Sequence, residues 1–347
     1  MNIRERRLEI ARKQAQDLRI QKNLAQQIAS RKRLVSPQNI QTVLIVLFGA
    51  VGDAILGSTV LKNIKQSYPG CQIHWLILKD YYNVISHNIV DVDKWLILES
   101  FVPSFLNSEK AYFTKQPILL KTFLEQNTVH YDSIVVLVGP DRKRITSLGN
   151  HNGNQTERFL EACNRQLPIS KNIRTGSFVL TNEDKELWEE WSKNIDTKQK
   201  YICSEMFARS AGPTLNNWSM INLAHMVYKT ENVKTIFMHS KSDRIRAKEF
   251  YDLENNDGSY IMCDLPLGAA TYGINQVGRV FVSYCTGQTW AVCATNRSIP
   301  IVEVLNYKTA TRHPEIGAKF NPFGQMKVTS LVTTDIMPVY NAIKSYL

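Results

Sequence analysis

Short apolar runs alternate with stretches of helical periodicity over most of this chain, and that alternation limits its fold more than any other feature. The runs "TVLIVLF" (42–48), "QIHWLIL" (72–78), "KWLIL" (94–98) and "DSIVVLV" (132–138) predict strands. Residues 53–70, a stretch near 114–126 and residues 154–167 predict helices between and after them. Strands that are apolar throughout need cover on both faces, and intervening helices supply it, so the pattern predicts a parallel α/β sheet. A polar stretch around 168–185 reads as a linker. The alternation then restarts with a helix at 183–194 and strands at 200–206, 234–240, 259–265, 279–285 and 300–305. Helices are expected between them at 218–229, 242–250, near 269–277 and at 287–296, with a terminal helix in "TDIMPVYNAIKSYL". A chain of 347 residues exceeds what one core usually serves. Two doubly wound units set a cleft where the carboxyl ends of their strands face each other.

Charge is concentrated at one end. The net charge of +11 points to an anionic partner. Residues 1–33 hold ten Lys or Arg against three acids, so the body is only mildly basic. Residues 2–33 read as one helix, with Leu8, Ala11, Ala15, Leu18, Ala25 and Ile28 mostly three or four apart, and "VSPQ" (35–38) breaks it. It is a solvated helix packed on the body or another subunit, or a membrane-surface or partner helix; both readings stay open. No nucleic-acid module is present, and no nucleic acid is expected. The six cysteines form no C-x-x-C pair, so neither a zinc site nor a disulfide framework is implied. With no bilayer-length apolar stretch and no signal-peptide core, the expected location is cytoplasmic. The basic helix would allow peripheral contact at the inner membrane face.

The stretch "LFGAVGDAILGS" (47–58) follows the first strand. Glycines 49, 52 and 57 do not follow G-x-G-x-x-G, so a dinucleotide fingerprint is not expected. What remains is a strand, a G-x-x-G turn and Asp53 at a helix start. Asp53 can cap the helix. The helix dipole also keeps such a carboxylate ionised, which suits it to take a proton from a sugar hydroxyl. One position serves both roles.

The segment "VLIVLFGAVGDAILGSTVLKNIKQSYPGCQIHWLI" resembles the N-terminal signature of the ADP-heptose:lipopolysaccharide heptosyltransferases, inverting glycosyltransferases of the GT-B fold. The likeness continues through "DVDKWLIL", "YDSIVVLVG", "ICSEMFARSAGPTLNNWSMINLAHMV" and "DLPLGAATYGINQVGRVFVSYCTGQTWAVCATNRSIPIVEV". It covers about residues 42–330 and leaves the basic helix outside. It implies two Rossmann-like domains facing a cleft, preceded by the extra N-terminal helix. The divisions are 1–38 for the extension, 39–180 for an acceptor domain and 181–347 for a nucleotide-sugar domain. A C-terminal helix returning to the first domain is also expected. The resemblance implies lipopolysaccharide-type biosynthesis, a nucleotide-diphospho-sugar donor, ADP-linked in that family, and a phosphorylated glycan or lipid-linked acceptor. It implies no cofactor and no metal. Asp53 corresponds to the family's proposed base, with Gly52 beside it on the acceptor side.

Three positions depart from the family pattern. Where it carries D-S/T-G-x-x-H, this chain reads "CTGQTW": Thr286 and Gly287 survive, Cys285 replaces the aspartate and Trp290 the histidine. Asn216 stands where the family has a lysine before tryptophan. Thr286, Gly287 and Gln288 still open a helix whose N–H groups suit a diphosphate. Arg209, with Ser210 in the same loop, can replace the missing countercharge. Lys241 in "HSKSD" (239–243) is a further donor-side residue. Arg142, Lys143 and Arg144 in "GPDRKR" can meet acceptor phosphates or form a solvated charge run, and His151 and Arg158 read as structural. "DVD" (91–93) imitates a metal-binding D-x-D but precedes a strand, so it is set aside. The three departures also fit a different class of protein, a catalytically degenerate relative that binds a nucleotide or glycan or scaffolds an assembly.

Overall fold

The computed structural model describes residues 39–47, 49–98, 129–138, 155–170, 172–207, 215–253, 257–284, 286–295, 298–305, 323 and 327–347. The expected helices at 2–33 and near 114–126 lie outside these residues, as do Arg142, Lys143, Arg144, His151, Arg209, Ser210 and Cys285.

The first sheet is built from β1 (Thr42–Leu47), β2 (Gln72–Leu78), β3 (Lys94–Leu98) and β4 (Ser133–Val138). All pairings are parallel, in the order β3-β2-β1-β4. The second holds β5 (Tyr201–Glu205), β6 (Thr235–Met238), β7 (Tyr260–Cys263), β8 (Gly278–Ser283), β9 (Ile301–Leu305) and β10 (Val328–Val332). It is parallel throughout, in the order β10-β9-β8-β5-β6-β7. In each sheet the chain winds outward one way from its first strand and then restarts on that strand's other side. The reversals lie between β1 and β4 and between β5 and β8, the positions where open α/β sheets bind ligands. The edge strand β10 is the one the apolar runs do not announce. Its sequence, VTSLV, is half-exposed along most of its length and carries two hydroxyls.

The helices are α1 (Val51–Gly57), α2 (Thr59–Ser67), α3 (Lys79–Ile85), α4 (Gln155–Gln166), α5 (Asn182–Trp191), α6 (Asn217–Glu231), α7 (Arg244–Leu253), α8 (Leu267–Val277), α9 (Gly287–Thr295) and α10 (Ile336–Lys344). The helix expected over 53–70 is two, divided at Ser58. The Ser58 hydroxyl donates to the Ile55 carbonyl at 2.7 Å and accepts the Ser177 N–H at 2.9 Å. A long-range contact therefore sets the break. The terminal helix corrects another expectation. Among the described residues, α10 packs on α6, β9 and β10 of the second domain rather than on the first. Its Tyr340 hydroxyl donates to Glu231 at 2.7 Å. Among the described residues, no helix is long and apolar enough to cross a membrane.

Side chains alternate across both sheets, as strand geometry requires. Val43, Ile45 and Leu47 enter one apolar cluster, while Leu44 and Val46 enter another on the opposite face. On β5, Cys203 joins the first of these clusters and Ile202 a third. The first cluster also takes in Trp188, Phe281, Trp290 and Phe323, so the facing sides of the two sheets share one continuous core. The five described cysteines are free and buried within the apolar interior.

The segment before α5 is stitched to the first domain. Residues Ile89 and Phe178 form an antiparallel bridge, and Ser177 donates through its hydroxyl to Asp91 at 2.7 Å. The Asn88 side-chain amide donates to the Val179 carbonyl at 3.0 Å and to the Asp184 carboxylate of α5 at 2.6 Å.

Candidate active site

The turn after β1 is shaped around Asp53. Its Oδ2 accepts the Ala50 N–H at 2.8 Å, reaching back from the third position of α1. This is the acidic half of a capping box. Gly49 is needed for the close approach, because a Cβ there would lie 2.5 Å from Asp53 Oδ2. The carboxylate is half-buried, at a helix start whose dipole favours negative charge. The capping role expected of Asp53 is therefore observed.

The turn after β8 is shaped around a residue the motifs do not include. Glu205 ends β5 and is 5% exposed. Its Oε2 accepts the Tyr284 N–H at 2.8 Å, and its Oε1 accepts the Thr286 hydroxyl. Thr286 Oγ1 accepts the Gln288 N–H at 3.2 Å, and Thr289 Oγ1 accepts the Thr286 N–H at 3.0 Å. Thr289 also shares a 2.9 Å hydrogen bond with Ser283. The Gln288 side chain donates to Thr271 Oγ1 of α8 at 2.6 Å. Glu303, fully buried on β9, accepts the Ser330 hydroxyl at 3.0 Å. Burial raises Glu205 from the ordinary carboxylate range to about 8; the Tyr284 N–H opposes the shift and Glu303 adds to it. The Tyr284 phenol is likewise raised by burial and then by Glu205.

The two turns meet. α9 packs directly on α1. A Cβ on Gly52 would come 2.7 Å from Trp290 Cδ1, and one on Gly287 would come 2.6 Å from Val51 Cγ1. Each helix start thus carries a glycine that receives the other's side chain. Trp290 is 7% exposed in this contact. Gly52, Asp53, Thr286, Gly287, Gln288 and Trp290 are brought together. Lys241 is exposed in the turn after β6, the strand next to β5. Arg158 is half-buried on α4.

Asn216 has a local task. It is the N-cap of α6, and its side chain accepts the Ser219 N–H at 2.8 Å. The D-x-D look-alike is also structural. Asp91 accepts from Ser177, and Asp93 accepts from Lys65 and from the Ile73 N–H, each at 2.6 Å. Among the described residues, no group of three His, Cys, Asp or Glu is placed to hold a metal. Glu205 and Glu303 are the polar residues that motif reading passed over. Their one signal is a carboxylate inside an otherwise apolar run, "YICSEM" and "PIVEVL".

No family model matches this chain, and no curated protein matches it. Solved structures do. A glycosyl transferase family 9 protein from Veillonella parvula is 12% identical, with 90% of this chain and 91% of that one covered at a TM-score of 0.61. The ADP-heptose lipopolysaccharide heptosyltransferase II of E. coli is 12% identical, with 88% and 98% covered at a TM-score of 0.61. The E. coli heptosyltransferase WaaC, solved with ADP, is 15% identical, with 88% and 98% covered at a TM-score of 0.53. Likeness at these identities speaks to architecture, since one fold hosts many activities. The chain is built on the α/β fold of these glycosyltransferases, the two-domain GT-B arrangement.

Proposed function

We propose that this chain is an inverting glycosyltransferase that moves a sugar from a nucleotide-diphospho-sugar to a glycan or lipopolysaccharide-type acceptor. One observation carries the reading: a carboxylate and a hydroxyl-rich helix start occupy the two switch points and face each other across touching helices. The donor diphosphate would lie on the Thr286–Gln288 turn, with Arg209, Ser210 and Lys241 supplying donor-side contacts. The acceptor would enter beside Gly52, its phosphates met by Arg142 and Arg144. Asp53 would remove the proton from the acceptor hydroxyl as its oxygen attacks the anomeric carbon. The bond to the diphosphate breaks as the new glycosidic bond forms, and the configuration inverts. The solved neighbours named for ADP and ADP-heptose make an adenine nucleotide the first donor to test. The basic segment 2–33 would bring the protein to an anionic membrane surface or to a partner.

The second reading, a nucleotide- or glycan-binding protein without catalysis, is favoured by Trp290. Its ring is seated on Gly52, immediately beside Asp53. A thermal-shift panel of ADP, UDP, GDP and ADP-heptose tests both. The transferase reading expects a shift with one diphosphate and sugar release from the matching donor. A shift without turnover selects the binding protein; no shift with any member removes the transferase reading, favours the non-catalytic one and turns attention to the N-terminal segment and its partner.

A further inference from the structure

We propose that Glu205 is a positioning residue that couples a proton to anion binding at the α9 turn, by deciding which way the Thr286 hydroxyl points. The inference rests on the donor-site reading of that turn and adds a titrating group to it.

A threonine hydroxyl has one proton to give and two lone pairs to receive. Thr286 Oγ1 already receives the Gln288 N–H at 3.2 Å. An ionised Glu205 can only accept, so it takes the hydroxyl proton. Thr286 then turns a lone pair, not a donor, toward anything bound at the helix start. A phosphate oxygen in that place meets a lone pair with a buried carboxylate behind it. A neutral Glu205 reverses the bond. Its own O–H donates to Thr286 Oγ1 along the same line of heavy atoms. The threonine proton is released to point out toward a phosphate oxygen. The Tyr284 N–H stays on Glu205 Oε2 in both states, so the carboxyl keeps its place while the proton moves.

Burial favours the neutral form of Glu205, the Tyr284 N–H opposes it and Glu303 adds to it. Across β8 lies Glu303, the charged group that acts on it. The other titratable groups nearby are the Tyr284 phenol and Cys293 on α9, each raised by burial. At the end of the adjoining strand β6, His239 sets its ring against Phe207 and its Nδ1 at 3.0 Å from the Ser240 carbonyl oxygen. Glu205 titrates near 8 in the folded chain, so both states are reached between pH 7 and 9.

Calorimetric binding of ADP and of inorganic pyrophosphate at pH 7 and pH 9 tests this. If the neutral form is the competent one, affinity falls about tenfold between the two, because the competent fraction falls by that factor. Close to one proton is taken up per ADP bound at pH 9, read from buffers of different ionisation enthalpy. In Glu205→Gln the amide Nε2 donates to Thr286 permanently, so affinity stays flat with pH. Binding that is equal at both pH values, with no proton uptake, overturns the coupling and leaves the donor site standing. No binding at either pH overturns the donor site and the coupling with it. A ligand-free measurement isolates the carboxyl. Its folded pKa lies above the unfolded value near 4.5, so its stabilising contribution is complete below that value and is lost as pH rises through 8. The melting temperature of the wild type should drop from pH 7 to 9 more than that of Glu205→Gln. Parallel melting curves would show that Glu205 does not hold the proton.

Discussion

The turn after β1 and the turn after β8 both flank the switch point of their sheets, one after the first strand and the other after the strand that restarts beside it, and they are made differently. The first takes its carboxylate from its own sequence, three residues from the amide it caps. The second takes one from β5, with Thr286 and Glu205 separated by 81 positions. Asp53 is half-buried at a helix start, while Glu205 is sealed beneath its turn. Exposure to a dipole and to solvent favours the charged form; burial beside a second carboxylate favours the neutral one. Two turns at switch points therefore leave one carboxylate half-exposed at a helix start and bury the other, and the proposed base and the proposed proton coupling both rest on that contrast.

The sharpest test of that contrast is Asp53→Ala. Turnover should fall by about 10²–10⁴-fold or more, the range of a lost general base, with ADP affinity nearly unchanged. A matched loss of kcat and of ADP binding would make Asp53 a structural residue like its counterpart. Next in size is Gly52→Val, which drives a branched side chain into Trp290. Urea denaturation should show a loss of about 1–3 kcal/mol from overpacking. Adding Trp290→Leu should recover part of it; a variant as stable as the wild type would disprove the reciprocal glycine contact. Thr286→Val should have the smallest effect, about 1 kcal/mol, because the Gln288 N–H loses its cap. Its Tm should also lose its dependence on the residue at 205. Additive Thr286→Val and Glu205→Gln effects would show that the two side chains are not coupled.

Most of the scaffold was legible because buried parallel strands are apolar on both faces. Nine strands stand out as such runs, and their ends fall within one or two residues of the expected ones. β10 did not stand out, since an edge strand half-open to solvent needs no continuous apolar run. The division at Ser58 was hidden because its cause, Ser177, lies far along the chain. The same divide runs through the site. Asp53 with Gly49, and Thr286 with Gly287, are local turn chemistry and can be read in order. The seating of Trp290 on Gly52, and of Glu205 under Thr286, depends on which strands and helices become neighbours. Asn216 has a role that motif reading did not see: its side chain, weighed only as a missing countercharge, also caps a helix by accepting the Ser219 N–H.

Asn88 gives the join between the two domains a mechanical character. Its amide spans the join, holding Val179 on one side and the Asp184 carboxylate on the other, with both side chains buried against Gly268 of α8. The Thr181 N–H and hydroxyl meet that same carboxylate at 2.9 and 3.0 Å. A swing of one domain that parted Asn88 from Asp184 would remove a charge-assisted hydrogen bond from a buried acid, at about 1.5–3 kcal/mol. The connecting segment therefore acts as a clasp rather than a tether. Any opening between the sheets that parted these groups would have to break the clasp first, which makes a threshold the expected outcome rather than free rocking about a loose string of residues.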